Sequence, residues 1–309
     1  MTAESEVLVN SIHSTPFRMV TSVSGGGARA LAELLEAPGA SRTLLEAVIP
    51  YGRSALLQWL GGRPDQFCSA QTARAMAMVA FDRARYLAEP GTVHLLGAAC
   101  TAGLTTDRPR QGDHRAHIAI QSEDETLCWS LHLAKGRRNR REEEQVVAKL
   151  LLNALAEACR VEERLSLPVE DDEPLEYCRT AARPAWRELL LGRRDVACEN
   201  GAVETPAVLF SGAFNPLHTG HRRMAETAET MLGARVHFEI PIINADKPPL
   251  DYCELEYRLG QFEADQPVLL TRAATFEAKS ALFHGVTFVV GVDTLRRIAS
   301  PTYYGNDPA

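Results

Sequence analysis

The segment Val208-Leu209-Phe210-Ser211-Gly212-Ala213-Phe214-Asn215-Pro216-Leu217-His218-Thr219-Gly220-His221 constrains the fold more than any other part of the chain. Val208, Leu209 and Phe210 form a short apolar run of buried-strand character. Ser211-Gly212-Ala213 and Asn215-Pro216 supply turn residues, and from Arg222 onward Met224, Ala225, Ala228 and Met231 recur at helical spacing. Strand, loop and helix in that order commit the surrounding chain to a layered α/β architecture. They also place His218 and His221 where a helix begins. Free backbone N–H groups and the positive end of the helix dipole favour an anion there, and two imidazoles add further donors. Nucleotide phosphates are the ligand class that suits such a site.

A chain of 309 residues has room for two ordinary domains, and 45% hydrophobic with 24% charged residues is a globular balance. A net charge of −7 argues against general nucleic-acid binding, which needs a concentrated basic face, but leaves small anionic ligands open. Met1 to Val9 is acidic and lacks the pattern of a targeting peptide, and no run reaches membrane-spanning length, so a soluble cytoplasmic protein is expected. The seven cysteines are scattered without a CxxC pair or a zinc-ligand spacing, which predicts free thiols and no metal site.

Residues 1–16 read as an N-terminal arm and residues 17–161 as a first α/β domain. In the latter, Met19 to Ser22 leads into Ser24-Gly25-Gly26-Gly27 and an Ala- and Leu-rich helix from Ala28 to Leu35. Helices are predicted over Ala55–Leu60, Gln71–Leu87 and Glu142–Ala158, and strands over His94–Ala99, Ala116–Gln121 and Thr126–Leu133. The basic run Lys135 to Arg141 reads as a solvated helix entrance, with Glu142, Glu143 and Glu144 favourable in the first turn. Residues 162–204, acidic and broken by Pro168 and Pro174, are expected to form a linker, with a connecting helix over Tyr177–Arg194. Residues 205–309 form the second domain. Its further strands are predicted at Val236–Ile242 and Val268–Thr271, followed by a buried parallel strand over Phe288–Asp293 that ends in Gly291-Val292-Asp293.

Within the first domain, Thr21-Ser22-Val23-Ser24-Gly25-Gly26, Ala37-Pro38-Gly39-Ala40-Ser41, Ala47-Val48-Ile49-Pro50-Tyr51 and Ser69-Ala70-Gln71-Thr72-Ala73-Arg74-Ala75-Met76-Ala77 resemble the CinA C-terminal family of nicotinamide-nucleotide amidases. The resemblance implies Ser22 as nucleophile and Tyr51 as its partner, with glycine-loop amides holding an oxyanion or a phosphate. Where the family carries a lysine shortly after the tyrosine, this chain has Leu56, and the family's glycine run appears as Ala99-Cys100-Thr101-Ala102-Gly103-Leu104. An unassisted hydroxyl is a poor nucleophile, so the amidase function is expected to be degenerate.

Gly212 to His221 resembles the GxFxPxHxGH signature of the nucleotidylyltransferase superfamily, nearest to nicotinamide and nicotinate mononucleotide adenylyltransferases. The resemblance implies a Rossmann-like parallel sheet. It also implies His218, His221 and Lys247 as groups acting on the phosphates, and Ser211, Gly212, Ala213, Phe214, Asn215, Gly220, Gly291 and Asp293 as nucleotide contacts, with Mg2+ arriving with ATP. The superfamily's Ser/Thr-x-x-Arg segment does not follow the third strand before Ala309. The domain is therefore expected to be shortened at its C-terminus, with one wall of the site missing and a sheet edge for a partner to cover. A homo-oligomer formed through that edge or through the CinA-like domain would serve.

The two resemblances converge, because the product of the amidase is a substrate of the adenylyltransferase. The leading expectation is transfer of AMP from ATP to nicotinamide or nicotinate mononucleotide. The alternatives are a nicotinamide-nucleotide amidase using Ser22, and a nucleotide-binding regulatory protein with both sites incomplete.

Overall fold

A computed structural model describes residues 1–107, 111–201, 205–244 and 247–299. The chain is mixed α/β and divides into two compact units, Met1–Ala181 and Ala182–Ala309, each with its own sheet.

The first unit runs α1 (Ala3–His13), β1 (Arg18–Ser24), α2 (Ala28–Glu36), α3 (Ala40–Thr43), β2 (Leu44–Val48), α4 (Arg53–Leu60), α5 (Ala70–Leu87), β3 (Leu95–Gly103), β4 (His114–Gln121), β5 (Glu125–Leu133), α6 (Arg140–Ala158) and β6 (Leu175–Ala181). The sheet order is β2-β1-β3-β4-β5-β6, parallel among the first three strands and antiparallel from β3 to β6. Side chains of α1, α2 and α6, among them Leu8, Ile12, Leu34, Leu151 and Leu155, form one core with Met19, Val23, Ile118 and Leu131 of the sheet. Leu56 and Leu60 of α4 and Ala73, Met76 and Ala77 of α5 form another with Ala99, Ala119 and Cys128 on the opposite face.

The small residues of α5 let its backbone lie directly on β3. A Cβ at Gly97 would run into the Phe81 amide and the Ala77 carbonyl. Backbone atoms cannot yield as a flexible side-chain end can, so Gly97→Ala is expected to destabilise this unit by about 3 kcal/mol or more. Urea unfolding measures this, and an unchanged midpoint would show that α5 does not lie as described.

Three expectations about this unit are corrected. Residues 1–16 are not a free arm, because Thr2 caps α1 and Leu8, Val9 and Ile12 of that helix are fully buried. The expected connecting helix over Tyr177–Arg194 is instead edge strand β6 followed by the short helix α7 (Pro184–Leu190), with Pro184 in its first turn. The acidic stretch that precedes β6 is packed on the unit and is not a loose linker. Leu165 and Glu173 are buried, and Asp172 and Glu173 receive Arg137 and Arg138 from the basic run at 2.6 and 2.5 Å. The start of α6 is as expected, with Asn139 and Glu142 forming a capping box.

The second unit continues from α7 through β7 (Val196–Glu199), β8 (Val208–Ser211), α8 (Thr219–Leu232), β9 (Val236–Pro241), α9 (Tyr252–Leu259), β10 (Val268–Thr271), α10 (Phe276–Leu282), β11 (Thr287–Val289) and α11 (Val292–Ile298). Its five-stranded sheet has the order β11-β8-β9-β10-β7. The first four strands are parallel and β7 closes one edge antiparallel, so the sheet is not wholly parallel as expected. The chain moves outward from β8 to β9 and β10 and then returns to pair β11 on the other side of β8. Such a reversal opens a crevice at the carboxyl ends of the strands, and the loop after β8 begins there.

Candidate functional site

The loop from Gly212 to Leu217 is shaped from within by Phe214. Its backbone is left-handed, with φ of 45°, and this turns the ring back under Gly212 into a cluster with Phe210, Phe238 and Phe262 at centroid distances of 5.3, 5.3 and 5.6 Å. A Cβ at Gly212 would lie 2.8 Å from that ring, so only glycine fits there. Phe214 is 1% exposed, which corrects its expected role: the side chain anchors the loop and does not face a nucleotide. A large apolar ring in a turn gains more from the core than from water.

From outside, the loop is braced by α9 and by Gln261, which follows its C-cap. Arg258 Nη1 donates to the Ala213 carbonyl at 3.0 Å, and Gln261 Nε2 donates to the Phe214 carbonyl at 3.0 Å. Gln261 Oε1 accepts from the Leu217 amide at 2.7 Å. Glu254 Oε1 accepts from Asn215 Nδ2 at 2.8 Å and from both Arg258 Nε and Nη2 at 2.9 Å. Asn215 is thereby held to α9 through its side chain. The loop carbonyls of residues 213 and 214 are satisfied inside the protein, which removes two acceptors that would repel an anion.

His218 is the N-cap of α8 and His221 lies in its first turn. The two rings stack at 3.6 Å between centroids and 18° between planes. The His218 amide donates to His221 Nδ1 at 3.3 Å, so that nitrogen is an acceptor and the Nε2 of neutral His221 carries the proton. Burial and the adjoining His218 both hold the His221 pKa below the ordinary histidine value. A proton on His221 is therefore disfavoured until an anion compensates it. Gly220 permits the arrangement, since a Cβ there would be 3.0 Å from His218 Cε1 and Nδ1.

The other expected nucleotide contacts fall along the same sheet edge. Ser211 ends β8 with its Oγ accepting from Lys279 Nζ at 2.8 Å, and the Gly212 amide donates to the Glu239 carbonyl of β9 at 3.0 Å. Lys247 is exposed in the loop after β9, where the Leu250 amide donates to the Ile242 carbonyl. Gly291 follows β11. The expected strand over Phe288–Asp293 is shorter than predicted: only Thr287–Val289 pair with β8, at the edge of the sheet, and Asp293 sits in the first turn of α11, its side chain 97% exposed and 3.4 Å from Arg296. An apolar run at an edge does not need to be buried, and Val292 and Leu295 are likewise exposed.

In the first unit the expected amidase groups are not assembled. Ser22 is fully buried in β1 and its Oγ has no hydrogen-bond partner, while Tyr51 is exposed beyond β2. Leu56 is part of the α4–α5 core. One of the glycine-loop amides expected to hold an oxyanion or a phosphate, and one amide of the α2 first turn, are taken by the protein's own carboxylate: Glu144 accepts from Gly27 N at 3.0 Å and Arg29 N at 3.1 Å.

A polar row crosses this sheet face where Ser24, Thr101, His117 and Ser130 are cross-strand neighbours. His117 Nδ1 and Ser130 Oγ are 2.9 Å apart, and burial, with Arg115 nearby, pushes the His117 pKa down to about 4. The folded state therefore refuses a proton that the unfolded chain accepts, and stability falls as the pH drops from about 6.5 to about 4 and then levels. The expected loss attributable to this histidine is about 3 kcal/mol. Urea unfolding at pH 7 and pH 4.5 should show a smaller pH effect in His117→Gln than in the parent, and equal effects would contradict this assignment.

No motif in the sequence marks Glu254, Arg258, Gln261, Glu239 or Lys279. The available signal was the Glu254/Arg258 pair at i,i+4 beside Leu255 and Leu259, which puts charge next to the apolar face of a short helix.

Residues 209–302 match a protein family described as cytidylyltransferase-like. No curated protein sequence matches the chain. Among solved structures, the N-terminal half is similar to the competence/damage-inducible protein CihA from Agrobacterium tumefaciens, with 20% identity, 51% of this chain and 97% of that chain covered, and a TM-score of 0.40. It is also similar to a competence or damage-inducible protein from Enterobacter asburiae, with 18% identity, 52% and 98% coverage and a TM-score of 0.41. A third similar structure is a CinA superfamily protein from Escherichia coli, with 17% identity, 50% and 91% coverage and a TM-score of 0.38. Among the described residues, no helix is long and apolar enough to cross a membrane.

Proposed function

We propose that the second unit transfers AMP from ATP to a pyridine mononucleotide, nicotinamide or nicotinate, with release of pyrophosphate. The observation that carries this reading is the stacked His218–His221 pair at the start of α8, on a loop braced at the carboxyl end of β8. The cytidylyltransferase-like match supports nucleotidyl transfer as the reaction class. The choice of nucleotides rests on the resemblance of Gly212–His221 to mononucleotide adenylyltransferases, and on the resemblance of the first unit's motifs to nicotinamide-nucleotide amidases, whose product would be nicotinate mononucleotide.

In this reading the mononucleotide phosphate, already anionic, attacks the α-phosphorus of ATP. A new P–O bond joins the two nucleotides as the bond from the α-phosphorus to the bridging oxygen breaks, and pyrophosphate leaves with its electron pair. No general base is required. His218 and His221 donate to phosphate oxygens on which charge accumulates, and the helix start adds its amides. Lys247 approaches the phosphates from the loop after β9, and Gly291 with Asp293 borders the ribose. The donors at the loop are imidazole and amide N–H groups, which fit phosphate oxygens and not a bare cation. Magnesium bound to the triphosphate would supply charge screening for the leaving pyrophosphate, while the chain's own donors hold the phosphate oxygens. In this reading the first unit is a degenerate amidase: Ser22 Oγ has no hydrogen-bond partner to activate it, and Glu144 occupies the Gly27 amide.

Incubation with ATP, magnesium and each mononucleotide in turn tests this. Dinucleotide and pyrophosphate appearing in equal amounts is the expected result. Ammonia release that Ser22→Ala abolishes, without dinucleotide, would replace the proposal with the amidase reading.

A further inference from the structure

Four buried polar side chains meet beneath the loop at the carboxyl ends of three adjacent strands. Lys279 of α10 is 2% exposed, and its Nζ donates to Ser211 Oγ at 2.8 Å and to Glu239 Oε2 at 2.6 Å. The other Glu239 oxygen accepts from Thr271 Oγ1 at 2.5 Å, and the Glu239 carbonyl accepts from the Gly212 amide. Glu239 is thus the hub. It fixes Lys279 through its carboxylate and the first residue of the loop through its backbone.

An ammonium group has donors only. Ser211 Oγ therefore accepts from Lys279, and its single O–H proton has to point elsewhere. Accepting a charge-assisted hydrogen bond makes that O–H a stronger donor. Ser211 is the residue immediately before Gly212, at the mouth of the phosphate loop. A buried ion pair adds little stability over packed apolar side chains of the same volume, so its effect on Ser211 accounts better for its position.

We propose that Lys279, held by Glu239, is a positioning residue for the phosphate loop and acts through Ser211: it turns the serine hydroxyl into an oriented, polarised donor for an anionic phosphate oxygen of the ligand. The inference rests on reading this loop as a phosphate site. Positive charge from a fully buried lysine thereby reaches the ligand through one hydroxyl, with no need for the lysine to leave the core.

Calorimetric titration of the full chain with inorganic pyrophosphate tests it. Ser211→Ala leaves the Lys279–Glu239 pair in place and is expected to bind pyrophosphate about ten-fold more weakly. The double variant K279M/E239Q removes both buried charges together, so no lone charge unfolds the core, and it should lose the same ten-fold. Adding S211A to that double variant should cause no further loss, because the lysine acts only through the serine. Wild-type affinity in Ser211→Ala would overturn the proposal, as would losses that multiply in the triple variant or a wild-type protein that binds no pyrophosphate. If wild type binds pyrophosphate and the single, double and triple variants behave as expected while no dinucleotide is ever formed, adenylyl transfer is refuted and the role of Lys279 stands.

Discussion

His218→Ala is expected to lower the rate of dinucleotide formation by about 100- to 1,000-fold, the usual effect of removing one aligned donor from a charge-stabilising site. The fold should tolerate the change. His218 is exposed, and much of its structural part in α8 is made by backbone, which alanine retains: its carbonyl accepts the first helical amides, and its own amide donates to His221 Nδ1. Thermal unfolding should therefore stay close to wild type while turnover collapses. The affinity for mononucleotide should change far less than the rate, because charge on the phosphates grows only as the bond to the leaving group breaks. Steady-state kinetics separate the two, and wild-type turnover in His218→Ala would remove the imidazole pair from the mechanism.

Arg258→Met is expected to act on stability first. The guanidinium is buried against Glu254, also buried, and it supplies the donor for the Ala213 carbonyl. Its loss removes the guanidinium that compensates a buried carboxylate, a situation that costs about 3–5 kcal/mol. It also frees one side of the loop. Denaturant unfolding of the second unit measures the first effect, and Arg258→Met/Glu254→Gln should recover a large part of it, because the uncompensated charge is then gone. A loss below about 1 kcal/mol in the single variant would mean that water reaches this pair.

What could be read from the sequence is what depends on neighbours along the chain. β8, the loop and α8 were legible because an apolar triplet, a Gly/Asn/Pro turn and helical spacing each carry a local signal. The long helix α5 was legible for the same reason. Edge strand β6 was not: six of its seven residues are exposed, so no alternation marks it. α1 was hidden by the acidic residues of its solvent face, although Leu8, Val9 and Ile12 have the spacing of a buried stripe. The Phe288–Asp293 run mimicked a buried strand because hydrophobicity alone cannot distinguish a central strand from an edge strand running into a helix.

The site divides along the same line. His218, His221 and Gly220 belong to one contiguous motif, and the structure brings them together. Phe214 belongs to that motif too, yet its ring goes to the core, because the left-handed turn at that residue and the waiting Phe238 and Phe262 are tertiary facts. Glu254, Arg258, Glu239 and Lys279 read as ordinary solvated charges until folding turns them inward beneath and beside the loop. In the first unit, Ser22 was visible as part of a short motif, but the carboxylate that fills its glycine loop comes from Glu144, more than a hundred positions away.

Direct in-line transfer on the His218–His221 loop is tested most sharply by following oxygen. With 18O in the phosphate of the mononucleotide and unlabelled ATP, 31P NMR of the dinucleotide should show the label bridging the two phosphorus atoms, with none in the released pyrophosphate. A dinucleotide whose bridging oxygen is unlabelled, AMP carried covalently on the protein, or no dinucleotide at all would contradict it.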